Sequence, residues 1–342
     1  MTLFRLLLFL ASACTISAFT YHGYTSDYSF DANLSHRPKW MAHVPDDVNI
    51  TSLSIPGTHD TMTDNLRSRV LQCQNWNLTV QLEAGLRYFD IRARVKRNRL
   101  HIYHGKQKTG WSFKQVLVQI KPIPTLGQLR SKIFLLQEFK CENKRTYGLV
   151  WDGPQMVLED EFAIHGEGQL PKKWTAIKQA LERANQDPLD NQHLHVSHTS
   201  AAIGVLPIQA AAAVSGETQI GMNFMTGDWL DAHIDDEGSR RTGIVVSDFP
   251  GKRMIDSVLA WNTHVGARLQ TIETFFRDAG VVEAMQSLPA GVTFRGLAWP
   301  VATAGAVAAT DQQDFFERMM KDVLDTSVLD FANCGTMLEV LQ

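Results

Sequence analysis

The sequence predicts an α/β fold, a parallel barrel of alternating strands and helices. Three observations predict it. The chain has 342 residues, an ordinary length for one such barrel and long for a small single domain. From about residue 50 onward, short apolar runs alternate with helical patterns, as expected of parallel strands joined by crossover helices. Charged residues and histidines recur where the apolar runs stop, and in a parallel barrel those strand ends share one face. Hydrophobic residues make up 44% of the chain and charged residues 20%, which provides for a sizeable core and excludes global disorder. A formal net charge of -3 argues against a broad nucleic-acid footprint, though not against a local anion site.

In chain order, residues 1–18 read as a secretory signal. Arg5 gives a positive start, Leu6 to Ala13 is an apolar run too short to span a bilayer, and Ser17-Ala18 offers small residues for cleavage. Asn33, Asn49 and Asn77 each begin an Asn-x-Ser/Thr sequon. Behind a signal these fit a secreted glycoprotein. Cys73, Cys141 and Cys334 remain after the signal, so at most one internal disulfide forms. Neither a CxxC nor a Cys/His cluster suggests structural zinc.

The barrel is expected over residues 19–262. Strands are predicted at Leu53–Ile55, Tyr88–Val95, Leu100–His104, Ile133–Phe139, Gln155–Leu158, Leu194–His198 and Ile244–Asp248, with Pro56-Gly57 read as a turn. Trp111–Ile120 reads as a helix. A second helix runs over Lys172–Asn185, where Trp174, Ile177, Leu181 and Ala184 fall on one face. Lys172-Lys173 reads as its solvated start. Residues 263–342 differ in character, with helical patterns at Leu269–Ala279 and Gln312–Leu324 and an Ala-rich segment near 302–309. They form a mostly helical extension without evident chemistry.

The chemistry concentrates at predicted strand ends. In Tyr88–Val95, Asp90, Arg92 and Arg94 alternate with Phe89, Ile91, Ala93 and Val95, so one face of this strand is charged. Asp90 and Arg92 buried together in a barrel mouth must pair. His59 and Asp60 follow the first apolar run, His104 ends another before Gly105, and Asp248 ends a third before Pro250-Gly251. A single strand-end histidine is usually structural. Two histidines, an arginine and several carboxylates on one face form a pattern that is harder to dismiss.

These residues carry a family resemblance. Ser54-Ile55-Pro56-Gly57-Thr58-His59-Asp60, then Gln81-Leu82 and Gly85-Leu86-Arg87-Tyr88-Phe89-Asp90-Ile91-Arg92, then His104-Gly105, resemble bacterial and fungal phosphatidylinositol-specific phospholipase C. Weaker blocks follow at Pro124–Gly127, Leu158–Phe162, His195–Ser200 and Val245–Phe249, so the likeness spans roughly residues 45–262. It implies a TIM-barrel-like phosphodiesterase that cleaves phosphatidylinositol, or its glycosylated derivatives, to diacylglycerol and a cyclic inositol phosphate. His59 is then the general base, oriented by Asp248. His104 is the general acid, with Asp60 as its carboxylate partner. Arg92 holds the phosphate, Asp90 orients Arg92, and Asp160 and Phe162 contact the substrate.

The resemblance implies no metal cofactor. Calcium-dependent relatives carry a carboxylate where Arg92 stands, and a fixed cation there takes over the ion's role; Glu138 is the residue that could instead pair with Arg92 or recruit a cation. A monomer acting at a membrane surface is expected, with a phosphoinositide as its partner and no transmembrane segment. One departure is large. The family has a further strand with a lysine between the His104 block and Pro124, and here the barrel is expected to be distorted or to lack one βα unit. Phe162 stands where many relatives have tyrosine. The alternatives are a catalytically impaired phosphoinositide-binding barrel and a metal-dependent glycerophosphodiesterase, which would want a carboxylate-rich site in place of Arg92. His193, His195 and His198 read as buried or lumen-facing polar residues, because the first two share a strand face that the third does not.

Overall fold

The computed structural model describes residues 19–46, 48–97, 99–119, 134–138, 149–189, 192–236, 238, 240–262 and 338–341. A short antiparallel pair, β1 (Phe19–Tyr21) and β2 (Tyr24–Ser26), leads in. The chain then enters β3 (Ile55–Thr58), α1 (Leu78–Ala84) and β4 (Tyr88–Ile91). A hairpin-built sheet follows: β5 (Ala93–Lys96), β6 (Arg99–His104) and β7 (Gln107–Ser112). After α2 (Phe113–Gln119) come β8 (Phe134–Gln137), β9 (Leu149–Val150), β10 (Met156–Glu159) and α3 (Leu170–Gln186). The order continues with β11 (Leu194–His198), α4 (Pro207–Ala212), the small pair β12 (Val214–Ser215) and β13 (Thr218–Gln219), and α5 (Met222–His233). It ends with β14 (Ile244–Ser247), α6 (Lys252–Ala260) and β15 (Leu338–Leu341).

Eight strands form the main sheet in the order β10-β11-β14-β3-β4-β15-β8-β9. β10, β11, β14, β3 and β4 run parallel in one unbroken arc. Each is followed by helical or hairpin structure, so all five C-terminal ends open on one face. This is the expected barrel in distorted form. The gap anticipated after the His104 block is filled by β15, which pairs antiparallel with both β4 and β8. Five residues separate β9 from β10, and the sheet order begins and ends at these two strands.

Burial explains the strands. Ile55, Tyr88, Leu136, Leu194, Val196, Ile244 and Val246 pack in one cluster with Trp151. Phe89 and Ile91 pack on the other side with Leu78, Leu82 and Ile255. The central strands are buried on both faces; β14 accordingly reads as a near-continuous apolar run, whereas β11 carries buried polar residues at His195, Ser197 and His198. A third cluster packs Ile177 and Leu181 of α3 against Leu230, Val245 and Trp261.

Several predicted boundaries are corrected. Pro56 and Gly57 are strand residues of β3, not a turn. Leu53 instead follows a 3₁₀ turn at Ile50–Ser52. Gly57 is required there because a Cβ would sit 2.7 Å from the Tyr88 side chain on the neighbouring strand. The single strand expected over Tyr88–Val95 breaks at Arg92, and its second half joins the outer antiparallel sheet, where Arg94 lies over the Tyr103 ring. The Leu100–His104 strand belongs to that outer sheet, not to the barrel. Trp111 lies in β7, and the helix there begins at Phe113. Lys173 is not solvated: it is fully buried, with Nζ 2.9 and 3.0 Å from the two carboxylate oxygens of Glu159. The strand at Leu194–His198 is found as predicted. Residues 263–337, with both predicted helices and the Ala-rich segment, lie outside the described residues.

Candidate active site

The site is built where β3, β4, β6 and β14 end. His59 and Asp60 leave β3, and Asp60 takes φ +42°, a left-handed conformation that aspartate tolerates better than most residues. This bend swings the Asp60 carboxylate into the mouth. It is held by two backbone bonds, from the Asp60 N–H to Asp90 Oδ2 at 2.9 Å and from the Thr61 N–H to the Asp90 carbonyl at 3.1 Å. The Gln74 amide donates to the carbonyls of His59 and Ser247 and so ties β3 to β14. Strand alternation puts Arg92 on the face of Asp90, so both side chains reach the site although β4 stops at Ile91.

Asp60 Oδ2 is the hub. It lies 3.1 Å from Arg92 Nη1, 3.2 Å from His104 Nε2 and 3.4 Å from His59 Nε2. Arg92 is also held by Asp90, with Nε and Nη2 both within 3.2 Å of its carboxylate. His59 Nδ1 meets Asp248 Oδ1 at 2.8 Å. On the far side, the His104 Nδ1–H donates to the Leu71 carbonyl at 2.8 Å. The tertiary structure thus brings His59, Asp60, Asp90, Arg92, His104 and Asp248 within contact of one another. Both imidazoles are part-buried, whereas Asp60, Asp90 and Asp248 are buried.

The charges explain the titration behaviour. Burial lowers the pKa of His59, but Asp248 and Asp60 favour the imidazolium and push it up to about 9 against Arg92. Burial disfavours the Asp90 anion, yet Arg92 and His59 together hold its carboxyl below the ordinary range. Asp60 is raised, first by burial and then by Asp90, despite Arg92 and the histidines. Arg92 itself is raised by Asp90 and Asp60 against its own burial.

Glu138, just after β8, keeps solvent access. Partial burial and the like charge of Asp90 nevertheless push its carboxyl up to about 7, with Arg92 opposing.

Asp160 and Phe162 follow β10, and Asp160 borders the six-residue cluster through His198, whose ring stands 6.0 Å from that of His59. Asp160 is 34% exposed and bonds His198, and Phe162 is 49% exposed. Sequence reasoning missed Cys73, which is fully buried and whose sulfur shares a 4.8 Å neighbourhood with ligand atoms of His59 and Asp60. His198, read from the sequence only as a buried or lumen-facing polar residue, is buried and packs near the His59 ring.

His59, Asp60 and Cys73 form the group among the described residues that could hold a metal ion. The fit is poor. The guanidinium of Arg92 already sits against both His59 and Asp60, and a second cation there would meet it at contact distance.

Comparisons with known proteins give likenesses in sequence and in fold. The protein named 1-phosphatidylinositol phosphodiesterase from Listeria monocytogenes is 29% identical over 286 residues, covering 66% of this chain and 84% of that protein. A Staphylococcus aureus protein of the same name is 32% identical over 103 residues, covering 29% of this chain and 30% of that protein. The solved phosphatidylinositol-specific phospholipase C from Listeria monocytogenes matches with a TM-score of 0.54 at 27% identity, covering 66% of this chain and 99% of that one. A variant of the Staphylococcus aureus enzyme matches in fold, with a TM-score of 0.50 at 18% identity over 66% of this chain and 99% of that one. A family model described as fungal specific transcription factor domain matches residues 279–342, of which 338–341 are described and form β15 of the main sheet. Over two thirds of its length the chain is thus similar to the bacterial phosphatidylinositol-specific phospholipases C, in sequence and in fold.

Proposed function

We propose that this chain is a phosphatidylinositol-specific phospholipase C that cleaves phosphatidylinositol, or its glycosylated derivatives, to diacylglycerol and a cyclic inositol phosphate. The observation that carries this reading is the convergence of His59, His104 and Arg92 on one carboxylate oxygen of Asp60, within 3.4 Å. Transesterification at phosphorus needs a proton taken from the attacking hydroxyl, a proton given to the leaving oxygen and a cation on the phosphoryl oxygens. Three such groups meet here.

His59 takes the proton of the inositol 2-hydroxyl through Nε2, while Asp248 holds Nδ1–H and stabilises the charged ring, as the carboxylate of a catalytic triad does. The alkoxide attacks phosphorus and the bond to the diacylglycerol oxygen breaks. His104 protonates that oxygen from the other side of Asp60. Arg92, kept planar and oriented by Asp90, presents N–H groups to the phosphoryl oxygens. No step requires a metal, because the guanidinium supplies the positive charge. Asp160 contacts inositol hydroxyls, and Phe162 offers a ring face in place of a tyrosine. The apolar N-terminal run supports secretion, the lipid substrate puts the reaction at a membrane surface, and the acting form in this proposal is a monomer. No helix among the described residues is long and apolar enough to cross a membrane.

Phosphorus NMR of the purified protein with phosphatidylinositol vesicles tests this. A cyclic phosphate signal that forms equally in chelator and in calcium, and vanishes in His59→Ala, is expected. Product only with added calcium overturns the metal-free mechanism. No product from folded protein overturns the activity.

A further inference from the structure

The reaction above leaves the buried His198 without a task. Glu159 and Ser197 are paired in the parallel ladder of β10 and β11, so Asp160 and His198 are the next residues along these neighbouring strands, where both reach the barrel mouth. His198 Nδ1 lies 2.9 Å from Asp160 Oδ1. The histidine is 1% exposed and the aspartate 34%.

Rings enclose His198. Trp151 stacks on it at 5.6 Å with an interplanar angle of 24°. Tyr88 and His59 stand at 6.4 and 6.0 Å between ring centroids. A ring so enclosed has little rotational freedom, and the direction of its Nδ1–H is fixed by packing. Facing a carboxylate, Nδ1 is the donor. Nε2 is buried without a hydrogen-bond partner.

We propose that His198 is a positioning residue for headgroup recognition: its packed ring fixes one carboxylate oxygen of Asp160 and leaves the other to accept a hydroxyl of the inositol ring. The inference rests on the reading of this site as an inositol-phospholipid site and adds a residue to it. A carboxylate fixed through a buried donor gives up less side-chain freedom when a substrate hydroxyl binds than one swinging in solvent. The surroundings reinforce this. The residue before Asp160, Glu159, is itself fixed in a buried ion pair with Lys173. Burial raises the Asp160 carboxyl, but the His198 bond and charge outweigh it and keep the group ionised, as an acceptor of hydroxyl protons must be.

Two substitutions separate the donor from the packing. His198→Phe keeps a ring against Trp151 and removes the donor. His198→Asn shrinks the side chain and keeps an N–H near the Nδ1 position. With phosphatidylinositol vesicles, His198→Phe is expected to raise KM about tenfold, the worth of one hydrogen bond to a charged group, with kcat within about threefold of wild type. His198→Asn is expected to recover most of the loss. Titration with myo-inositol 1-phosphate, followed by calorimetry, provides a readout that does not need turnover, and it should show the same order of affinities. Unchanged KM and headgroup affinity in His198→Phe, or equal losses in both variants, overturn the proposal. Wild-type protein that binds the headgroup but releases no product removes the catalytic reading alone. Wild-type protein that binds no headgroup removes both.

Discussion

Nη2 of Arg92 lies 2.8 Å from Nε2 of His59. The cation proposed to hold the phosphate therefore covers the lone pair proposed to take the proton. That hydrogen bond requires an unprotonated Nε2, so it exists only with the neutral ring, whereas Asp248 and Asp60 favour the imidazolium up to about pH 9. The two states compete in the free site. In the proposed mechanism, substrate phosphate would resolve the competition by drawing the Nη2 donor of Arg92 to itself and leaving Nε2 to the 2-hydroxyl.

The first prediction concerns pH. A base must be neutral to act, and a raised histidine pKa means that the neutral fraction grows as pH rises toward about 9. The profile of kcat/KM should therefore climb through neutrality. In Asp248→Asn, loss of an anion lowers the His59 pKa. The rising limb should then move to lower pH while the plateau drops by roughly 10²- to 10⁴-fold. A limb that stays in place would sink the assignment of Asp248 as partner of the base.

Arg92→Lys keeps the charge but loses the planar fork that spans Asp90, Asp60 and His59. Turnover should fall by about 10²- to 10³-fold, as for loss of a preorganised donor to the transition state. Added calcium should not restore it. Activity rescued by millimolar calcium in this variant would show that the site accepts a metal once the guanidinium is gone.

Glu138 should make substrate affinity pH-dependent. Its carboxyl titrates at about 7, so it is neutral below and anionic above that pH. An extra negative charge near Arg92 opposes a phosphodiester. KM should rise through neutrality in the wild type, and Glu138→Gln should remove that rise. Steady-state kinetics from pH 6 to 8 read the difference.

The Lys173–Glu159 pair is a stability element. Lys173→Met leaves Glu159, 7% exposed, without its partner and should cost about 3–5 kcal/mol in urea unfolding. The double variant Lys173→Met/Glu159→Leu should recover most of that loss, because neither charge then remains buried. A double variant as unstable as the single one would show that packing, not the unpaired charge, sets the cost.

By itself the sequence determined the strand-end chemistry and the fold class. Ile244–Ser247 reads as a strand because burial on both faces favours continuous hydrophobicity, and Leu194–His198 reads as one because apolar Leu194 and Val196 alternate with polar residues. His59, Asp60, His104 and Asp248 stood out because each ends such a run. What only the tertiary structure decided lies in contacts between segments distant in sequence. Arg92 meets His59 and Asp60 because β3 and β4 lie side by side, Lys173 is buried because Glu159 waits fourteen residues away, and His198 is enclosed because Trp151, which follows β9, and Asp160, which follows β10, both close on it. The break in the Tyr88–Val95 run and the filling of the sheet by β15 are of the same kind. Periodicity reports which face of a segment avoids water. It carries no information about which other segment supplies the cover or the counter-charge, and that choice is made only when the chain packs.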